Sequence, residues 1–274
     1  MPAPLAWTSR TDDTRLVFHR STQGTRTIRK PPRPGADTSR SQPASGVVDP
    51  VIMARAALAA RPDEPRALFT LAALLLRAGD PEAAALLPQL ERHDGFAGGW
   101  LTIGDALLAR DRTDASLIAI KRGLRGLSAQ TPADQASRAQ HLLGRALVAS
   151  GQDGLALAAF EHATALYPVS AEAWYSLALL HQDHGRHAAA AACYRSALSA
   201  RPDFHEAALN LGVALGECGL IEDALDAYAQ ALALRPASFG RIAQSLVSGR
   251  TGLMFLDPGR LRANLQARAR PVAA

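Results

Sequence analysis

Four side chains able to ligate a transition metal fall within one short stretch: His181, Asp183, His184 and His187. A zinc site needs imidazole, carboxylate or thiolate donors at fixed distances, usually about four of them. On a helix His181 and His184 lie one turn apart and share a face. Gly185 ends that helix before His187, and no cysteine or second carboxylate stands at a ligand spacing. No metal is expected here. Cys193 and Cys218 fall on different expected helices without an acid or base partner, and read as core or surface thiols. A second grouping has clearer chemistry. Arg138, His141 and Arg145 recur at i, i+3 and i+7, which puts them on one helical face. The planar guanidinium fork captures a carboxylate with two parallel hydrogen bonds, so this face suits an acidic group. The plain alternative is solvated surface charge. Phosphate loop, dinucleotide fingerprint, nucleophile elbow and paired catalytic carboxylates are all missing from the sequence. Catalytic residues, cofactors and a small-molecule substrate are therefore not expected.

The elements that must position these residues are marked by a period. Gly144, Ala178 and Gly212 are spaced by 34 residues, as are Gly151, Gly185 and Gly219. Ala156, Ala190 and Ala224 keep the same spacing, as do Ala163, Ala197 and Ala231, and Pro168, Pro202 and Pro236. Within residues 171–204, Trp174, Leu177 and His181 share one face of a first helix. Ala178 is small enough for a second helix to approach, and Gly185 frees the turn between them. Ala190, Tyr194 and Ala197 face back from the second helix, and Pro202 closes the unit. Such a pair cannot bury its apolar face alone, so neighbouring pairs must stack.

This order of residues at this period resembles the tetratricopeptide repeat family, closely over residues 137–238 and loosely over 49–130. The resemblance implies an all-α, right-handed solenoid whose first helices line a concave groove. It implies a protein-interaction adaptor or scaffold. The expected array runs over 46–238, with units at about 65–96, 97–130, 137–170, 171–204 and 205–238. Residues 49–61 read as a lone second helix, 131–136 as a small insertion, and Pro88 as a break where a large aromatic belongs. The family geometry implies groove positions at Arg138, His141 and Arg145, then Glu172, Tyr175 and Asp183, then Glu206, Leu209 and Asn210. The groove is then basic in the middle and mixed toward its C-terminal side, and the ligand this implies is an acidic extended or helical segment of another protein. Members that clamp a chaperone C-terminus use Lys and Asn where this chain has His141 and Arg145, Tyr175 and Leu179, Leu209 and Val213, so that match fails. Members with an asparagine ladder would need more than Asn210; the equivalents are Thr70, Thr102, Leu142 and Ser176.

Charge divides the 274-residue chain further. Residues 1–45 and 239–274 each carry a net +5, and the stretch between them carries −5. Residues 1–45, centred on Lys30-Pro31-Pro32-Arg33-Pro34-Gly35, are expected to be a disordered basic extension, with Leu16-Val17-Phe18 its one strand-like piece. Residues 239–274 are expected to cap the array. They comprise a helix from Phe239, a loop at Gly249–Gly252, an apolar run Leu253–Leu256 able to dock in a groove, and a helix begun by Asp257-Pro258. No apolar run reaches the ~18 residues of a membrane span. The start, Met1–Arg10, lacks the basic-then-apolar pattern of a secretory signal. With only two cysteines, the expected location is the cytoplasm. Two rival readings remain open at this point: a nucleic-acid- or membrane-associated regulator acting through the basic termini, and a secretion or assembly chaperone.

Overall fold

The computed structural model describes residues 49–248 and 257–269. The expected basic extension and the Gly249–Leu256 segment lie outside the described residues. The described residues are helical and contain no strand. In chain order the helices are α1 (Pro50–Ala60), α2 (Pro65–Ala78), α3 (Glu82–Ala85), α4 (Leu87–Glu91), α5 (Ala97–Leu108), α6 (Thr113–Arg125) and α7 (Ala133–Ala149). They continue as α8 (Asp153–Leu166), α9 (Ala171–Asp183), α10 (His187–Ala200), α11 (His205–Glu217), α12 (Ile221–Leu234), α13 (Phe239–Ser248) and α14 (Pro258–Arg268). Helices α5 and α6, α7 and α8, α9 and α10, and α11 and α12 pack as antiparallel pairs, and each pair stacks on the next. The chain is an all-α solenoid.

The periodic small residues set how closely each pair packs. A Cβ at Gly144 would come within 2.5 Å of the Phe160 ring, and one at Gly212 within 2.5 Å of the Tyr228 ring. Ala178 holds the same repeat position in its own unit, where Tyr194 takes the place of Phe160 and is fully buried. First and second helices therefore touch almost backbone to ring, and the aromatic fills what the missing side chain leaves. The turn after each first helix needs a left-handed residue. Gly79, Gly151, Gly185 and Gly219 supply it with φ between 69° and 77°. In the unit that starts at Ala97 this position is Asp111, the one non-glycine residue with positive φ (57°) among the described residues. Aspartate tolerates that region better than most residues.

Pro88 acts as its position predicts. The second helix of the first full unit is split at Leu86 into α3 and α4, because proline cannot donate to the turn before it. Trp100 then seals the gap. Its Nε1 donates to the His93 carbonyl at 3.2 Å, and its ring stands edge-on to Phe69 with the Arg122 guanidinium 4.4 Å above it. Four of the six residues 131–136 are helical and lengthen α7, which begins at Ala133. At the far end α13 buries Ile242 and Leu246, while α14 lies on α12 and buries Leu261 and Leu265. Asp257 caps α14 by accepting from the Gly259 and Arg260 amides. Arg268 then bridges Glu222 and Asp226 on α12.

Candidate partner-binding groove

The first helices α5, α7, α9 and α11 stand side by side, and side chains tie each to its neighbour. His141 on α7 shares a hydrogen bond of 2.8 Å between its Nε2 and Ser176 Oγ on α9. One unit later Asn210 on α11 donates through Nδ2 to Tyr175 Oη on α9 at 3.1 Å. Both links join residues 35 apart, one position off the repeat, so each repeats the other's geometry. On the N-terminal side, Arg145 Nη1 lies 3.2 Å from Asp105 on α5. Asp105 also receives Arg77 from α2. One carboxylate thus serves two guanidinium groups, which leaves this stretch of the face with excess positive charge.

Burial sets the proton chemistry of the site. The His141 ring is half-buried, and its pKa falls to about 4, first from burial and then from the Arg145 charge. It is a neutral imidazole at neutral pH. Tyr175 is held above the usual phenol range, mainly by burial and by Glu206. Its ring packs on Phe204 at 4.8 Å and on Tyr194 at 5.8 Å between centroids. Glu172 accepts from Arg201 at 2.7 Å, and the Arg201 guanidinium lies 3.7 Å over the Phe204 ring. Glu206 pairs with Arg235 at 3.1 Å. Its own backbone amide, ahead of the Arg235 charge, holds its carboxyl below the usual range.

Six of the seven proposed partner-binding residues are therefore already engaged within the chain: His141, Arg145, Glu172, Tyr175, Glu206 and Asn210. Arg138 differs. It is exposed on α7 and has no hydrogen bond or ion pair among the described residues. Leu209, expected on the groove, is buried and belongs to the core, because it faces the stacking interface rather than solvent. Leu179 and Val213 follow Tyr175 and Leu209 by one turn and are half-buried, which adds apolar surface beside the charged residues. Asp105, Ser176, Arg201 and Arg235 were not singled out from sequence. The signal for the last two was present: Glu172 to Arg201 and Glu206 to Arg235 are both separated by 29 residues.

The histidine cluster is dispersed. His184 Nδ1 lies 2.7 Å from the Leu180 carbonyl and its Nε2 3.3 Å from Asp153. His181 is half-buried at the α9 surface, and His187 opens α10 beyond the turn. Among the described residues, no group of three or more His, Cys, Asp or Glu is placed to hold a metal ion. Cys193 is buried with its thiol pushed up to about 11, first by desolvation, while Cys218 is exposed at the end of α11. No described helix is long and apolar enough to cross a membrane.

A family model described as Tetratricopeptide repeat matches residues 141–191 and 177–239. No curated protein sequence matches the chain. Among solved structures, a crystal structure of MamA superposes with a TM-score of 0.52 at 23% identity, covering 59% of this chain and 92% of MamA. MamA 41-end from Desulfovibrio magneticus RS-1 superposes with a TM-score of 0.53 at 20% identity, covering 64% of this chain and 97% of that one. A crystal structure of YrrB, described as a TPR protein with an unusual peptide-binding site, gives 0.51 at 19% identity and covers 67% of this chain and 92% of YrrB. At these identities the likeness concerns the fold.

Proposed function

We propose that this chain, whose residues 141–239 match the tetratricopeptide repeat model, is a protein-interaction adaptor. A segment of a partner protein lies along the face formed by α5, α7, α9 and α11. The observation that carries this reading is the set of links between neighbouring first helices: Arg145 to Asp105, His141 to Ser176, and Asn210 to Tyr175. These bonds hold one continuous, prepaid surface, so a bound segment need not immobilise those side chains itself. The surplus positive charge around Arg77, Asp105 and Arg145, with half-buried Leu179 and Val213 further along on α9 and α11, favours a segment with both acidic and apolar residues.

Panning a displayed random-peptide library on the full-length protein tests the reading. Recovered peptides are re-measured against Arg145→Glu and Leu179→Arg, which alter the groove, and against Leu155→Arg, which alters an exposed position on α8. The groove variants are expected to weaken binding by about 2 kcal/mol when the lost contact is desolvated, while the α8 variant binds as before. Equal binding by all four proteins places the site elsewhere. If binding also weakens steeply with salt and disappears when residues 1–45 are removed, the contact belongs to the basic extension instead.

A further inference from the structure

Two consecutive units close on the same ion pair, and the unit before them has lost it. Glu172, the second residue of α9, meets Arg201 just before Pro202, at 2.7 Å. Glu206, the second residue of α11, meets Arg235 just before Pro236, at 3.1 Å. In each unit the pair clips the start of the first helix to the end of the second. The same positions in residues 137–170 hold Arg138 and, just before Pro168, Tyr167. The charge at the first position is inverted, and the second has lost its guanidinium.

The local backbone is nonetheless closed as in its neighbours. Ser137 Oγ donates to the Ala163 carbonyl at 2.7 Å, so the second turn of α7 meets the last turn of α8. The turn that follows is pinned by Trp174 Nε1, which donates to the Pro168 carbonyl at 2.7 Å. A hydrogen bond of 3.0 Å from the Ser170 amide to the Tyr167 carbonyl tightens it further. On this ordered turn Tyr167 is 38% exposed and Val169 60% exposed. Arg138 has no partner among the described residues, in a position where the neighbouring units neutralise their charge internally.

We propose that this edge of the unit, Arg138 with Tyr167 and Val169, is the anchor for an extended partner segment that carries an Asp or Glu beside an apolar side chain. The inference rests on the adaptor reading above and adds where the segment is held and what holds it. Charge complementarity selects the occupant. The partner's carboxylate takes the place that Glu172 and Glu206 fill in their own units, now with the guanidinium on the first helix. Its apolar neighbour covers Tyr167 and Val169. Tyrosine and arginine together are the residue types that most often dominate binding energy at interfaces.

The test uses the same displayed random-peptide library on the full chain, with three variants. Wild type is expected to enrich peptides with an acidic residue next to an aliphatic or aromatic one. Arg138→Glu is expected to weaken those peptides by about tenfold or more, as for an interfacial charge pair. The double variant Arg138→Glu, Tyr167→Arg rebuilds the Glu–Arg clip of the next two units. It is expected to keep the wild-type helical signal and thermal midpoint and to bind none of the selected peptides, which separates recognition from folding. Leu179→Arg reports on the groove itself. If selected peptides lose binding to Leu179→Arg but not to Arg138→Glu, the groove stands and the anchor is refuted. If wild-type selection shows no acidic enrichment, or the double variant binds like wild type, the anchor is refuted as well. If no displayed peptide binds the wild-type chain, both readings fall.

Discussion

Acidification should weaken this fold through His141, and the size of the effect follows from its surroundings. In the folded chain the imidazole is half-buried beneath the first-helix face and hydrogen-bonded to Ser176. Its pKa drops from 6.5 to about 4, through burial first and the Arg145 charge second, with Glu172 opposing them. In the unfolded chain it titrates near its ordinary value. Between those two values the unfolded state binds the extra proton, so stability falls as pH falls. The contribution is fully present above about pH 6.5, begins to be lost on acidification through that value, and is gone below about pH 4. At about 1.4 kcal/mol per pKa unit, the loss is about 2 kcal/mol by pH 5 and about 3 kcal/mol by pH 4. His181 and His205 are shifted downward too, mainly by burial, so the wild type alone does not isolate His141. A difference measurement does. Urea unfolding followed by far-UV circular dichroism at pH 7, 6 and 5 should compare wild type with His141→Gln, which keeps an amide to bond Ser176 but has no proton to gain. Glutamine lowers stability at pH 7, because it loses the packing of the imidazole near Phe160 at 5.7 Å between centroids. The gap between the two proteins should then narrow by about 2 kcal/mol on going to pH 5. A gap independent of pH, or one that widens on acidification, refutes a neutral, buried His141.

Two backbone positions give sharper stability tests. Gly212→Val should destabilise by about 3 kcal/mol in thermal unfolding, because a Cβ there would stand 2.5 Å from the Tyr228 ring and a branched side chain cannot be accommodated. Gly212→Ala brings the same Cβ against the Tyr228 ring, which must shift, but adds no branch, so it should cost less. Ala178 already occupies the matching position against Tyr194, and alanine recovers up to about 1 kcal/mol of helix propensity. Asp111→Gly should stabilise by about 1 kcal/mol, since it relieves the one left-handed non-glycine residue among those described; an unchanged or lower thermal midpoint would count against strain there. Removing the α14 contact with Leu265→Asp should leave the far-UV signal of the array largely intact. It should nevertheless increase self-association in light scattering, because the buried Leu265 lies where α14 covers the last second helix.

The sequence by itself determined the helices and their pairing, because those depend on local properties repeated at one period. Small residues at 144, 178 and 212 admit a close second helix, glycines at 151, 185 and 219 turn the chain, and Pro88 breaks the helix whose interior it falls in. Each is a short-range steric fact that a one-dimensional reading preserves. Asp111 shows the limit of that reading, since its turn was legible only as a gap in the glycine series. Residues 131–136 show another: nothing in the spacing said that four of the six would extend α7. The contacts between neighbouring first helices belonged to the tertiary structure. Whether Arg145 meets Asp105, 40 residues away, depends on the rotation and crossing of helices from different parts of the chain. A charge read from sequence looks free until its partner is placed. Six of the seven residues nominated for binding proved to be engaged within the chain, four of them by residues that were not nominated. Arg138 stood out only once Glu172 and Glu206 had shown what normally fills its place, because an unpaired charge is defined by the three-dimensional absence of a neighbour rather than by anything at its own position.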